Sequence, residues 1–103
     1  MLDLAPQSLK IIRENLKIFV PAAEVRAFGS RVHGGAKKHS DIDLAIIEKE
    51  KISFDRMRLL KEALQNSDLP IRVDLVDWHQ ISDSFKKIIE SGYITIWPFE
   101  EDF

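Results

Sequence analysis

Three of the four glycines in this chain lie between positions 29 and 35, where they separate two segments with strand-like patterns. Glu24–Phe28 alternates polar and apolar residues, and Asp41–Ile47 begins by alternating and ends wholly apolar. Glycine reaches backbone conformations that other residues rarely adopt, so a cluster of glycines marks an irregular turn. The sequence therefore predicts two strands joined by a glycine-rich connection, with the second strand buried on both faces toward its end.

Apolar side chains recur at spacings of three and four residues in three other segments, which predicts three amphipathic helices. Pro6 suits the first turn of the first helix, and Pro21 is expected to stop it. Ser53 is the expected N-cap of the second helix, and Gly92 is expected to close the third. The apolar stripes are Leu9, Ile12, Leu16 and Phe19 in residues 7–19, Phe54, Met57, Leu60 and Leu64 in residues 53–66, and Ile81, Phe85, Ile88 and Ile89 in the last helix.

Two further segments have strand character. Ile71–Val76 is rich in β-branched and aliphatic residues, and Tyr93–Trp97 predicts a short strand or an extended tail. Helices and strands thus alternate along residues 1–103, which predicts one α/β domain with a small mixed β-sheet packed against helices. The order of the strands in that sheet does not follow from the sequence.

The composition limits the chemistry that this chain can perform. Cysteine is absent, which excludes disulfides, zinc–thiolate sites, iron–sulfur clusters and cysteine nucleophiles. The formal net charge of −2 gives no electrostatic argument for nonspecific nucleic-acid binding. No apolar run approaches the ~18 residues of a membrane span, and the first residues do not resemble a signal peptide. We therefore expect a cytoplasmic protein without a membrane partner.

Asp41 and Asp43 are the most informative acidic residues. They lie two positions apart at the start of the second predicted strand, so both carboxylates point to one face, with Cα atoms ~7 Å apart. Adjacent anions repel each other unless a cation joins them, and oxygen ligands without cysteine suit Mg²⁺. Alternatively, the pair is a solvated strand start with Ile42 pointing into the core.

Two other features bear on that choice. Gly29 and Ser30 directly follow the first predicted strand, where a close backbone approach, a hydroxyl donor and helical N–H groups suit a phosphate. The alternative there is an ordinary turn. Asp74 lies within an apolar strand, where an acid is costly unless it is paired or metal-bound, and the alternative is the solvent face of an edge strand. Asp77 lies three residues after Asp74, and an odd spacing places it on the opposite face of the strand. Asp74 is therefore the preferred third acid.

The order of these motifs resembles the nucleotidyltransferase superfamily that includes DNA polymerase beta and kanamycin nucleotidyltransferase. More narrowly, the chain is similar to the minimal nucleotidyltransferases (MNT), which are prokaryotic domains often encoded beside a HEPN-domain protein. The resemblance covers nearly the whole chain and implies a polymerase beta-like catalytic core. The matching residues are Gly29, Ser30, Ser40, Asp41, Asp43 and Asp74.

The resemblance implies a specific reaction. Family members transfer a nucleoside monophosphate, here expected to be AMP, from a nucleoside triphosphate such as ATP to a hydroxyl group, and they release pyrophosphate. Two Mg²⁺ ions about 4 Å apart would support the in-line displacement. By the family pattern, Asp41 and Asp43 hold both ions, and Asp74 completes the ion nearest the acceptor hydroxyl and helps to activate that group.

The family pattern also implies how the nucleotide is held. Gly29 and Ser30 are expected to bind the β- and γ-phosphates, and Ser40 belongs to the nucleotide-binding motif. Arg31 is a candidate for contact with the phosphates or the leaving group, because a guanidinium matches phosphate geometry; the alternative is a surface arginine. The basic loop 37–39 either steers the triphosphate or is simply solvated.

Three functions are compatible with these residues: an active nucleotidyltransferase, a catalytically silent antitoxin-like subunit that binds its HEPN partner, and a regulatory domain that binds the nucleotide without turnover. The presence of all three acids favours the enzyme. Related enzymes usually carry a further domain for the acceptor, and 103 residues leave no room for one. We therefore expect another chain, either a HEPN-domain protein or a second copy, to recognise the acceptor.

The segment after Gly92 is unusually apolar for the end of a chain, which predicts an interface with a partner chain. Pro98 cannot donate to a sheet ladder and is expected to end the last strand, so the flanking aromatic residues are the best placed to meet a partner. For Ile94 and Ile96 an edge strand packed within the chain is an equally good interpretation. The residues assigned to this interface are Tyr93, Ile94, Ile96, Trp97, Phe99 and Phe103.

Overall fold

A computed structural model describes residues 2–99, which contain four helices, four strands and one 3₁₀ turn. The elements alternate as the sequence pattern predicts. In chain order they are α1 (Pro6–Phe19), β1 (Glu24–Phe28), α2 (Ser30–His33), β2 (Ile42–Ile47), α3 (Phe54–Gln65), β3 (Val73–Asp77), the 3₁₀ turn (Trp78–Gln80), α4 (Asp83–Glu90) and β4 (Ile94–Trp97). None of these helices is long and apolar enough to cross a membrane.

The four strands form one mixed sheet in the order β3–β2–β1–β4, which confirms the predicted fold class. β1 pairs antiparallel with both β2 and β4, whereas β2 and β3 run parallel. A parallel pair needs a crossover connection, and α3 lies in that connection. The sequence is compatible with either a strand or an extended tail in residues 93–97. In the structure, β4 forms a strand on one edge of the sheet.

The sheet has two unlike faces, because side chains alternate along its strands. Ile42, Leu44 and Ile46 of β2 point to the face that α1 and α3 cover, where the main core lies. Asp43 and Ala45 point to the other face, which is covered by α4 and the turn before it. That smaller cluster consists of Phe28, Ala45 and Ile89, with Val76, Trp78, Ile81 and Phe85 packed against it.

Local signals explain where the helices begin and end. Ser53 accepts a hydrogen bond from the N–H of Arg56, which confirms it as the N-cap of α3. Pro6 is the first residue of α1. α4 ends close to Gly92 as expected, but the left-handed glycine conformation is not the cause. Ser91 is the C-cap, and Gly92 has no positive φ.

The last strand packs within the chain. Ile96 is 1 % exposed, and Ile94 packs against the main core, so the intramolecular interpretation of both residues is confirmed. Trp97 packs on the same core, and its indole N–H donates to the carbonyl of Pro21 at 3.2 Å. Trp97 thus contributes to the core of its own chain, and because it is only half-buried, an interface at its exposed part stays a prediction.

Tyr93 and Phe99, two other aromatic residues of this segment, each contact an arginine. The guanidinium of Arg26 lies 4.2 Å from the ring centroid of Tyr93, and that of Arg13 lies 3.6 Å from the ring centroid of Phe99. Phe99 is 44 % exposed, so an interface at this residue stays a prediction. Phe103 lies outside the described residues.

Candidate active site

Two of the predicted acids are direct neighbours in the sheet. Asp43 on β2 is the register partner of Asp74 on the parallel strand β3, so both side chains lie on the face opposite α1 and α3. Asp41 lies one residue before β2 instead of inside it, and Ile42 between the two acids is fully buried on the other face. Alternation along the chain therefore gives the three carboxylates a common side of the sheet.

The surroundings of Asp43 disfavour the charged form of its carboxyl group. Burial raises its pKa above the ordinary value of 3.8, and the charges of Asp74 and Asp41 raise the pKa further. Asp74 is exposed, whereas Asp41 and Asp43 are both half-buried. The arrangement concentrates negative charge around Asp43, and a bound cation would relieve it.

Gly29 forms the wall of the site beside Asp43. Phe28 is the register partner of Asp43, so the chain leaves β1 directly next to this carboxylate. Gly29 has a φ of 82°, and a β-carbon there would overlap Oδ2 of Asp43 and lie 3.3 Å from its Cγ. Both the backbone conformation and the space require glycine at this position.

The helical turn α2 begins where Gly29 ends. The carbonyl of Gly29 accepts hydrogen bonds from the N–H groups of Val32 and His33, each at 3.0 Å. Ser30 is half-buried and is the first residue of this turn, where N–H groups lack intrahelical partners. Its hydroxyl and N–H therefore lie one residue from the contact between Gly29 and Asp43.

Arg31 has a role that the sequence did not predict. Its side chain is buried, at 7 % exposure, so the interpretation as a surface arginine is wrong. Nε and Nη2 donate to the carbonyl of Ser40 at 3.0 and 2.8 Å, and Nη1 donates to the carbonyl of Asp3 at 2.8 Å. Because the guanidinium is committed to backbone carbonyls, this arrangement gives no support to a direct phosphate contact.

The loop before the acids is held from inside by this arginine. Nη2 of Arg31 makes longer contacts with the carbonyls of Lys37 and Lys38, at 3.5 and 3.4 Å. The hydroxyl of Ser40 accepts a hydrogen bond from the N–H of Lys37 at 2.8 Å, which closes the turn. The side chains of residues 37–39 are exposed. Ser40 thus connects the basic loop to the acidic strand.

The fold has known counterparts. The family model described as "Polymerase beta, Nucleotidyltransferase" matches residues 10–98, which hold all four strands and every site residue named above except Asp3. The chain belongs to this nucleotidyltransferase family. The predicted polymerase beta-like core is therefore confirmed, and the chain is a nucleotidyltransferase.

Individual relatives show which branch of the family this chain resembles. A Haemophilus influenzae protein named "Probable protein adenylyltransferase MntA" is 50 % identical over 100 residues, which cover 97 % of this chain and 88 % of that protein. A toxin–antitoxin crystallised with AMP-PNP is 25 % identical, with a TM-score of 0.74, and the match covers 89 % of this chain and 74 % of that one. A mutant of the toxin–antitoxin MntA–HpeT is 28 % identical, with a TM-score of 0.71, and covers 94 % and 75 %. The nucleotidyltransferase is thus a minimal one, as the resemblance implied.

The three acids of the nucleotidyltransferase are suitable ligands for the Mg²⁺ that its family implies. Within residues 2–99, no three carboxylates or histidines converge closely enough to form a closed metal cage. Mg²⁺ usually keeps several waters and binds one or two carboxylates together with substrate phosphates, so it needs no such cage. The oxygen donors of Asp41, Asp43 and Asp74, with the unrelieved charge at Asp43, fit this ion when a triphosphate supplies further ligands.

Asp77 is separated from these acids, as its sequence offset predicted. It is buried on the other face, where Oδ2 accepts from the N–H of Ile52 at 2.8 Å and Oδ1 accepts from the N–H of His79 at 3.0 Å. Both contacts satisfy backbone groups at the ends of neighbouring elements. Asp77 therefore has a structural role in the nucleotidyltransferase.

Proposed function

We propose that this chain is a Mg²⁺-dependent protein adenylyltransferase, which transfers AMP from ATP to a hydroxyl group of a partner protein and releases pyrophosphate. The carrying observation is the position of Asp43, between the charges of Asp41 and Asp74 and directly against the backbone of Gly29. The name of the 50 % identical relative supports AMP as the group and a protein as the acceptor. The AMP-PNP in a solved relative supports an adenine nucleotide as the donor.

In this proposal, Asp41 and Asp43 would hold two Mg²⁺ ions, and Asp74 would add a carboxylate ligand on the acceptor side. The chemistry that bound Mg²⁺ supplies is neutralisation of the triphosphate and of the charge that develops on the attacking and leaving oxygens. Asp74 is the exposed acid, so we assign it to the acceptor side. There it helps to remove the hydroxyl proton as the new oxygen–phosphorus bond forms and the bond to pyrophosphate breaks.

The nucleotide is held by the first turn of α2. Gly29 has no side chain to block the approach of a phosphate, and Ser30 offers its hydroxyl and N–H to the β- and γ-phosphates. Ser40 remains a proposed member of the nucleotide site through the loop that it closes. Arg31 supports that loop from inside, so we assign it no contact with the nucleotide.

We also propose that the acceptor belongs to a HEPN-domain toxin, with this chain as the antitoxin. The resemblance to minimal nucleotidyltransferases implies a HEPN partner, and both solved relatives named above are toxin–antitoxin assemblies. A complex between the two chains would bring an acceptor hydroxyl to the exposed side of Asp74. The protein encoded beside this chain is the partner to test.

The experiment incubates the purified chain with Mg²⁺, ATP labelled on the α-phosphate and the neighbour-encoded protein. We expect label on the partner in wild type and none in Asp43→Asn. Calorimetric binding of Mg·ATP by the chain alone gives a second readout, because it needs no acceptor. A tight complex without transfer by wild type would instead support the silent antitoxin, and absence of Mg·ATP binding would contradict any nucleotide-dependent function.

A further inference from the structure

Gly92 is a glycine that its own backbone does not require. It follows the C-cap Ser91 of α4 and has no positive φ, so an alanine could adopt this conformation without strain. The space around Gly92, in contrast, leaves no room for a side chain. A β-carbon at position 92 would overlap Cε1 of His33, and it would lie 3.0 Å from Nε2 and 3.2 Å from Nδ1 of the same ring.

His33 is the last residue of the turn that begins with Ser30. Residues three apart on a helix are neighbours on its surface, so the His33 ring and the Ser30 side chain belong to the same side of α2. The turn is thus bounded at both ends by a glycine contact. Gly29 lies against Asp43 at its start, and His33 lies against Gly92 at its end.

We propose that Gly92 is a positioning residue of the active site: the space left by its missing side chain seats the His33 ring. The seat fixes α2 against the junction of α4 and β4, and so fixes Ser30 relative to Asp43. A side chain at position 92 would push the ring out, because the imidazole is the movable partner and the β-carbon is not. The effect on nucleotide binding rests on the proposed function, whereas the seat itself does not.

The test is a double-mutant cycle of Gly92→Ala, His33→Ala and the combined variant, with melting temperature as the first readout. Replacing glycine by alanine at a compatible φ usually stabilises a protein through its unfolded state, here by roughly 2–6 °C. We expect this rise when the substitution is made in the His33→Ala chain. In the chain that retains His33, we expect no rise or a fall, because the alanine displaces the ring.

Mg·ATP affinity is the second readout of the same four proteins. We expect Gly92→Ala to weaken Mg·ATP binding at least about threefold in the chain with His33. This is a small effect, since a tenfold change in affinity corresponds to about 1.4 kcal/mol. In the His33→Ala chain the same substitution should leave the affinity unchanged. A purely local effect of residue 92 would be equal in both backgrounds for either readout, and that result would overturn the proposal.

Failure of the proposed function would be visible separately. If the wild-type chain binds no Mg·ATP, the role of the seat in a nucleotide site is overturned, and the melting temperatures alone decide whether the seat exists. If wild type binds Mg·ATP and Gly92→Ala binds it equally well, the positioning role fails while the proposed function stands.

Discussion

Gly29 lies so close to the carboxylate of Asp43 that a β-carbon on the glycine would overlap Oδ2. Gly29 directly follows β1, and Asp43 lies on the antiparallel neighbour β2, where it is the register partner of Phe28. The contact joins the turn proposed to bind phosphate to the acid at the centre of the charge cluster. A change at either residue is therefore expected to affect the other.

Gly29→Ala is predicted to destroy activity and to destabilise the fold more than Gly35→Ala does. Both glycines have positive φ, 82° and 85°, so each substitution has a backbone cost of about 1–3 kcal/mol. Only position 29 adds a clash, because a β-carbon at Gly35 meets nothing within 4 Å. Thermal unfolding and Mg·ATP binding of the two variants measure the difference. Equal losses in both would mean that the contact with Asp43 is unimportant.

Asp43→Asn is predicted to lower AMP transfer at least about 10²-fold under saturating Mg²⁺, because several kcal/mol of charge stabilisation depend on the metals. The shape of the side chain is retained, so the fold should persist. Asp68→Asn, at an exposed loop position, is the matched control and should transfer at the wild-type rate. Near-normal turnover by Asp43→Asn would refute the assignment of this residue to the metals.

The pH dependence of stability should differ between wild type and Asp43→Asn. The pKa of Asp43 is raised in the folded chain by burial and by the neighbouring charges of Asp74 and Asp41, so its ionisation destabilises the fold. That destabilisation is absent well below 3.8 and develops as the pH rises from there through the raised pKa. Without divalent ions, Asp43→Asn should therefore melt higher than wild type near neutral pH, and the gap should close by about pH 3.

Glu24 and Glu48 make the opposite contribution, since hydrogen bonds from Arg26 and Arg56 lower their pKa values. Both residues are present in wild type and in the variant, so their contribution cancels in the difference of melting temperatures. A difference that stays constant across the pH range would contradict the electrostatic account of Asp43.

Asp74→Asn and Asp77→Asn are predicted to separate activity from stability. Asp74 is exposed and its charge repels that of Asp43, so its amide variant should melt no lower than wild type and lose transfer on the order of 10²-fold. Asp77 accepts one buried and one partly buried backbone N–H group, and an amide turns a donor toward one of them, which costs about 1–3 kcal/mol. Kinetics and thermal unfolding of both variants provide the measurement. The reverse pattern would make Asp77 the functional acid.

Arg31→Lys is predicted to destabilise the fold by about 1–3 kcal/mol, because one ammonium cannot replace the fork that reaches the carbonyls of Asp3 and Ser40. Arg72→Lys, at an exposed side chain, is the control and should be neutral. Hydrogen exchange of the loop 37–40 should increase in Arg31→Lys. Unchanged stability with weaker Mg·ATP binding would instead return Arg31 to the role of a phosphate contact.

Periodicity and spacing predict much of this fold and of its site. The apolar stripes of α1 and α3 include Ile12, Leu16, Leu60 and Leu64, which are buried in the main core. The two-residue spacing of Asp41 and Asp43 predicts their common face, because strand geometry has a fixed period. The odd offset of Asp77 likewise predicts its separation from Asp74. These are local properties, and local sequence determines them.

Contacts between distant positions could not be predicted in this way. No pattern indicates that the carbonyls of Asp3 and Ser40 converge on Arg31, or that the ring of His33 fills the space at Gly92. The pairing of β4 with β1 also depends on the order of strands in the sheet. That order lets Trp97 pack on the core of its own chain, a contact that the sequence analysis did not predict.

The position of β4 has a consequence for synthesis on the ribosome. β1 is an inner strand of the finished sheet, yet one of its edges is completed only by residues 94–97. Residues 29–93 must be translated in between, which takes roughly 3–13 s at about 5–20 residues per second. During that interval β1 has an open edge with unpaired N–H and C=O groups, a template for pairing with other chains. Translational pausing before Ile94 would therefore expose nascent chains to aggregation, and faster elongation through this region would protect them.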